Sequence, residues 1–172
     1  MQLSDRKWKA FLLTGNKGLF PIVSTNTGID AVRLKVNDDE SVPYITRTEL
    51  LNGIAKFVSK ENLYFGKDSG GCITIGLDTQ TAYWQTSDFI TGQNIQILRS
   101  NLVNLYSGLF LIVVLKKQMK AKFNWGGNGA TLGRLKKLKI MLPVTDTGEP
   151  DYQFMEDYVK EIMLKKYFQY LI

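Results

Sequence analysis

The sequence predicts an α+β fold: a β-rich globule with a buried helix, followed by a C-terminal amphipathic helix. Three observations carry this. Short β-branched and aromatic runs, broken by turn signals about every 8–15 residues, fill the first hundred positions. From Asn101 the apolar residues change to three- and four-residue steps, the spacing of a helix. Past a polar segment at residues 145–150, a second stripe of the same spacing runs towards the end.

The elements follow in order. Trp8-Lys9-Ala10-Phe11-Leu12-Leu13 and Leu19-Phe20-Pro21-Ile22-Val23 are apolar pieces flanking a Gly15-Asn16-Lys17-Gly18 turn, with Trp8 and Phe20 as core candidates. Ser24-Thr25-Asn26-Thr27-Gly28 is a loop of small polar side chains. It suits a plain connection or phosphate contact through hydroxyls and backbone N–H groups. After the acidic turn Asn37-Asp38-Asp39-Glu40-Ser41, Val42-Pro43-Tyr44-Ile45-Thr46-Arg47-Thr48 reads as a strand. Asn52-Gly53 is a turn signal, and Ile54-Ala55-Lys56-Phe57-Val58 follows as a short edge strand. Cys72-Ile73-Thr74-Ile75-Gly76 carries no charge and reads as a central strand. Ala82-Tyr83-Trp84-Gln85 and Asn94-Ile95-Gln96-Ile97-Leu98 are two more. In the latter, Ile95 and Ile97 share one face while Asn94, Gln96 and Leu98 share the other.

Ser100 is the expected N-cap of a helix reaching about Phe123, with Leu102, Leu105, Tyr106, Leu109, Ile112 and Val113 on its stripe. Residues 109–115 are apolar on nearly all sides, so this helix is expected to be buried. Lysines crowd its last turn, where cations suit the helix dipole. A final strand is expected over residues 135–143. The segment 145–150 then reads as a hinge, dividing a main unit (1–145) from a hinge and terminal helix (146–172). Met155, Tyr158, Val159, Ile162 and Met163 form the stripe of that helix. Periodicity leaves open whether it folds back or packs on another chain.

The 172 residues include 22 bases and 16 acids, a net charge of +6, and the pI is near 9.3. The positive charge is local. No acid lies between Asp88 and Asp146, a window holding nine bases; the remaining 13 bases face all 16 acids. A basic cluster points to nucleic acid first and an anionic membrane second, with a solvated lysine face as the plain alternative. The single cysteine, Cys72, excludes an intrachain disulfide and fits a reducing cytoplasm. Histidine is absent, which removes the commonest general base and metal ligand. No metal, no cofactor and no catalytic set is expected, and no apolar run reaches the ~20 residues of a membrane span.

Within the basic window, Lys116, Lys117, Lys120 and Lys122 precede Phe123-Asn124-Trp125-Gly126-Gly127-Asn128-Gly129, and Arg134 follows. Glycines there leave backbone N–H groups open to phosphate, flanked by cations. The stretch does not match a dinucleotide or phosphate-loop motif, since it follows an apparent helix and lacks Gly-Lys-Ser/Thr. Lys122, Asn124, Gly127, Asn128 and Arg134 are therefore candidate phosphate contacts. Arg47, with Thr46 and Thr48 beside it, interrupts a β-branched run. Arginine reads guanine and threonine meets bases or a thymine methyl; an edge-strand arginine in water is the plain alternative. Asn52, Tyr83, Trp84 and Gln85 complete the candidate DNA-binding set.

Several of these stretches, in this order, resemble the DNA-specificity (S) subunits of type I restriction–modification systems, above all the BcgI-like subunits that serve type IIB enzymes. They are residues 42–48 with Asn52-Gly53-Ile54, Gly92-Gln93-Asn94-Ile95, Lys122-Phe123-Asn124-Trp125-Gly126-Gly127 through Leu142-Pro143, and Asp146-Thr147-Gly148-Glu149-Pro150-Asp151-Tyr152-Gln153-Phe154-Met155. The resemblance implies a non-catalytic target-recognition domain reading half of a bipartite site in double-stranded DNA. It also implies a helix that docks a methyltransferase (modification) subunit. One such unit, without an internal repeat, suggests a homodimer through the C-terminal helix. That helix is shorter than the family's spacer. The other reading is an S-like interaction protein that docks on a methyltransferase without binding DNA.

Overall fold

The uncharged stretch around Cys72 forms a central strand, as expected, and the rest of the fold stacks on its two faces. The computed structural model describes residues 1–15, 17–25, 27–37, 39–123 and 130–171. In chain order the strands are β1 (Lys7–Leu12), β2 (Ile22–Ser24), β3 (Glu40–Ile45), β4 (Ile54–Ser59), β5 (Cys72–Gly76), β6 (Thr81–Gln85), β7 (Ile90–Thr91) and β8 (Ile95–Leu98). Helix α1 (Leu105–Lys122), the short α2 (Leu132–Lys136), β9 (Lys139–Val144) and α3 (Tyr152–Gln169) follow. The α+β class is the one observed.

Three layers result. The middle layer is an antiparallel sheet in the order β2-β8-β5-β6, with Thr74 of β5 opposite Ile97 on one side and Tyr83 on the other. Every residue of β5 and β8 is buried because both faces are covered. Ile73, Ile75, Ala82, Trp84 and Leu98 pack towards α1. Cys72, Ile95 and Ile97 point the other way, against Ile45 and Phe89. The expected split of Ile95 and Ile97 from Leu98 therefore holds, but Leu98 meets a second core rather than water. The outer sheet is β4-β3-β7, antiparallel between β3 and β4 and parallel between β3 and β7. Its far face buries Val42, Tyr44, Val58 and Ile90. The β4 strand lies at an edge, as its sequence suggests.

On the other side, α1 is held between the middle sheet and a two-stranded sheet of β1 and β9, with Lys7 opposite Val144 and Leu12 opposite Lys139. Leu111, Leu115 and Met119 are wholly enclosed there with Leu13, Ile140 and Leu142. Burial of side chains this size stabilises by roughly 1.5–3 kcal/mol each. Close approach is possible because position 108 is glycine: a Cβ there would lie 2.5 Å from Cε3 of Trp84.

Four expectations change. Helix α1 begins at Leu105, not near Asn101, and Asn104 rather than Ser100 caps it. The Asn104 side chain accepts from the N–H groups of Tyr106 and Ser107 at 3.0 Å, and the Asn104 N–H donates to the Ser107 hydroxyl. The all-round apolar stretch is not fully covered, since Val113 is 56% exposed. The last strand starts at Lys139, because Leu135 and Lys136 belong to α2, whose N-cap Thr131 accepts from the Arg134 N–H. The strand around Arg47 ends at Ile45.

Segment 145–150 is a tight turn: the Thr145 N–H donates to Glu149 O at 2.9 Å, and Gly148 takes a left-handed φ of 84°. Asp151 then caps α3, accepting from the Phe154 N–H at 2.9 Å while Arg6 Nε donates to its other oxygen. The first half of α3 folds back on α1, with Phe154 and Met155 buried and Tyr158 set edge-on against Phe110. From Ile162 to Leu171 every residue is exposed.

Candidate nucleic-acid interface

The loop at residues 46–53, which leaves β3 and enters β4, is braced on the middle sheet. The Thr46 N–H donates to Gly53 O at 2.9 Å and closes it. Inside, the Thr46 hydroxyl accepts from the Thr48 N–H and the Thr48 hydroxyl from the Leu50 N–H. Asn52 Nδ2 donates to Trp84 O at 2.8 Å, and Gln85 Nε2 donates to Asn52 O at 3.1 Å. The Tyr83 hydroxyl donates to Glu49 O at 2.9 Å. Gly53 rests on the Tyr83 ring, where a Cβ would come within 3.1 Å of Cδ2. Leu51, Asn52 and Gly53 all have positive φ, at 46°, 60° and 83°. For asparagine and glycine this costs little, but for a leucine it costs on the order of 1–2 kcal/mol. The polar braces hold the loop in that shape.

Arg47 leaves this loop and forms an ion pair with Asp78, on the turn joining β5 to β6. The next link is Gln80, whose Nε2 donates to Phe123 O at 3.1 Å, at the C-terminal end of α1. Lys116 Nζ lies 5.3 Å from the Tyr83 ring centroid, and Lys120 and Lys122 are exposed on the last turn of the helix. The 46–53 loop, the 77–80 turn and the lysine-bearing end of α1 therefore form one continuous surface. Cations edge it, and Glu49 and Asp78 lie within it.

The sequence-predicted residues fall into three groups. Thr46, Arg47, Thr48, Asn52, Tyr83 and Lys122 come together on this surface. Trp84 and Gln85 face inward: they are 8% and 4% exposed, and Gln85 also donates to the Thr74 hydroxyl. They build the platform and present no side chain to a ligand in this arrangement. Arg134 sits on α2, which Leu135 anchors in the main core and whose Lys136 carbonyl accepts from the Thr14 hydroxyl. Asn124, Gly127 and Asn128 lie outside the described residues. Sequence reasoning missed Asp78, Gln80 and the position of Lys116 over Tyr83. The five-residue strands on either side of residues 77–80 are the signal that a tight hairpin brings that turn to the end of β5.

Other candidates resolve into structural roles. The Thr27 hydroxyl accepts from the Thr91 N–H at 2.7 Å, tying its loop to β7. Cys72 is 1% exposed, and burial pushes its thiol up to about 11, so it stays protonated. Among the described residues, no group of three His, Cys, Asp or Glu side chains could hold a metal ion, and no helix is long and apolar enough to cross a membrane. A groove of about 630 Å³ runs between α1 and α3, lined by Trp8, Leu109, Val113, Met141, Tyr158 and Ile162 among others.

This architecture defines a mixed α+β module of three sheets and a terminal helix, and comparison with known proteins places it. The chain belongs to the type I restriction modification DNA specificity domain family, whose model matches residues 8–169. It is 28% identical over 158 residues to the type II restriction enzyme specificity subunit S.BcgI of Heyndrickxia coagulans, covering 91% of this chain and 44% of that one. Two solved structures share the fold at 12% identity. The type I restriction–modification S subunit of M. genitalium aligns with a TM-score of 0.61, over 86% of this chain and 37% of its own. The HsdS subunit of Thermoanaerobacter tengcongensis aligns at 0.58, over 92% and 38%. The chain thus spans less than half the length of each of these relatives.

Proposed function

We propose that this chain is a target-recognition unit of a restriction–modification system. It binds double-stranded DNA in a sequence-dependent way and lends that choice to methyltransferase or endonuclease subunits, without chemistry of its own. The observation that carries this is the continuity of the braced 46–53 loop with the cationic end of α1, in a chain of this family. Lys122 and Arg134 grip phosphates, with Asn124, Gly127 and Asn128 between them in sequence. Thr46, Arg47, Thr48 and Asn52 face base edges, and Tyr83, Trp84 and Gln85 hold them there. Residues 1–145 form the recognition unit. Residues 146–172 carry the docking helix, which pairs with a second unit and with a methyltransferase subunit in the cytoplasm.

Selection of bound sites from random duplex DNA tests this directly, followed by gel shifts at several salt concentrations. One sequence class should be enriched. If ~5 phosphates are neutralised, log affinity should fall against log salt with a slope of about −4 to −5. Failure to enrich any sequence, with no salt dependence, would sink the proposal. The exposed apolar half of α3 favours a second reading, an interaction protein that docks on a methyltransferase and leaves DNA alone. Co-purification with a methyltransferase by a chain that shifts no DNA would establish that reading instead.

A further inference from the structure

The tip of the 46–53 loop carries two leucines that the fold leaves in water. Leu50 is 72% exposed and Leu51 78%. Single exposed apolar residues are common on any protein. This pair differs in three ways. The tip is rigid, with Glu49 O, Asn52 Nδ2 and Asn52 O all bonded to β6, and the Gly53 N–H donating to Leu50 O at 2.9 Å. Leu51 keeps a left-handed φ of 46° that a glycine or asparagine would adopt more easily. The pair also adjoins a surface edged by Arg47, Lys116, Lys120 and Lys122, cations suited to a polyanion.

The charges at the tip itself run the other way. Glu49 precedes the leucines, and Asp78 pairs with Arg47 beside them. Carboxylates there repel phosphate, so the backbone of a bound duplex lies over the lysines and the tip enters a groove. A base edge offers one apolar group in the major groove, the thymine 5-methyl. We infer that Leu50 and Leu51 are specificity determinants that pack on thymine methyl groups in the major groove. This rests on the DNA-recognition reading above and adds residues and a base class to it.

The test uses the whole chain and the site it selects from random duplexes. In one arm each thymine of that site is replaced singly by uracil, which removes only the methyl. Wild-type affinity should fall about fourfold per contacted methyl, at one or two positions. In the other arm the double variant Leu50→Ala with Leu51→Gly is compared on selected and unselected duplexes. It should lose tenfold or more on the first and less than twofold on the second, and its uracil sensitivity should vanish. Both side chains stand in water and glycine relieves the left-handed φ at 51, so its melting temperature should be no lower than wild type. Leu51→Asn, which tolerates the same φ, is the second variant and should lose selectivity in the same direction. A selected site without thymine, a wild type indifferent to every uracil, or variants of full selectivity would each overturn the inference while leaving the recognition unit standing. A wild type that selects no site overturns both.

Discussion

In the proposed function, Arg47 and Lys122 take different tasks on the candidate surface. Arg47 is tied to Asp78, but both side chains are over a third exposed, at 46% and 40%, so the pair adds little to stability. The guanidinium can exchange Asp78 for a base edge at small cost. Arg47→Ala should therefore leave the fold intact and cut the preference for a selected site over random DNA by roughly 5- to 100-fold. Lys122 stands exposed at the end of α1. Lys122→Ala should weaken binding to all duplexes about equally and flatten the salt slope by about one. Parallel titrations on selected and random DNA check both, and identical behaviour of the two variants would erase the division. At this scale the sequence was partly legible. Arg47 stood out as a charge in a β-branched run, whereas its partner lies 31 positions away and left no local mark. Trp84 and Gln85 looked available because strand alternation cannot show that α1 covers one face of β6 and the 46–53 loop the other.

Among the elements, α1 was legible in its 3.6-residue spacing and α2 was not. Five residues make too little of a turn pattern, and Leu135 with Leu138 and Ile140 reads equally well as the start of a strand. The start of α1 was misplaced because Ser100 and Asn104 are both good capping types; reciprocal bonding between Asn104 and Ser107 decides it. Packing against β6 constrains α1 more than propensity does. Gly108→Ala should raise intrinsic helix stability by about 1 kcal/mol. Yet the new Cβ would fall 2.5 Å from the Trp84 ring. We expect the clash to win, with a net loss of about 1–3 kcal/mol in urea denaturation. A raised midpoint would show that the Trp84 platform yields.

For the molecule as a whole, six strands could be read in advance, β1 and β2 only as apolar pieces and β7 not at all, and the pairing could not be read. Nothing local announces the parallel step between β3 and β7, or β1 beside β9. The terminal helix stood as an open choice between folding back and meeting another chain, and its two halves differ. The half carrying Phe154 and Met155 is fixed on α1; Tyr167 and Phe168 are 60% and 59% exposed. If the exposed half pairs copies of the chain, Tyr167→Asp with Phe168→Asp should convert a dimer to a monomer in light scattering, with an unchanged circular dichroism spectrum. A wild type that is monomeric at high concentration would remove self-pairing from the scheme. The β1–β9 sheet carries a further consequence, one that belongs to synthesis. The first strand cannot meet its partner until β9 leaves the ribosome, roughly 130 residues later, which at about 5–20 residues per second is a delay on the order of ten seconds. Throughout that interval β1 is an open edge, and Leu13 and Phe20 lack the Leu138 and Ile140 side of their core. Until its last strand arrives the nascent chain is open to aggregation at that edge, and a message truncated before the Lys139 codon yields a product that cannot close the β1–β9 sheet.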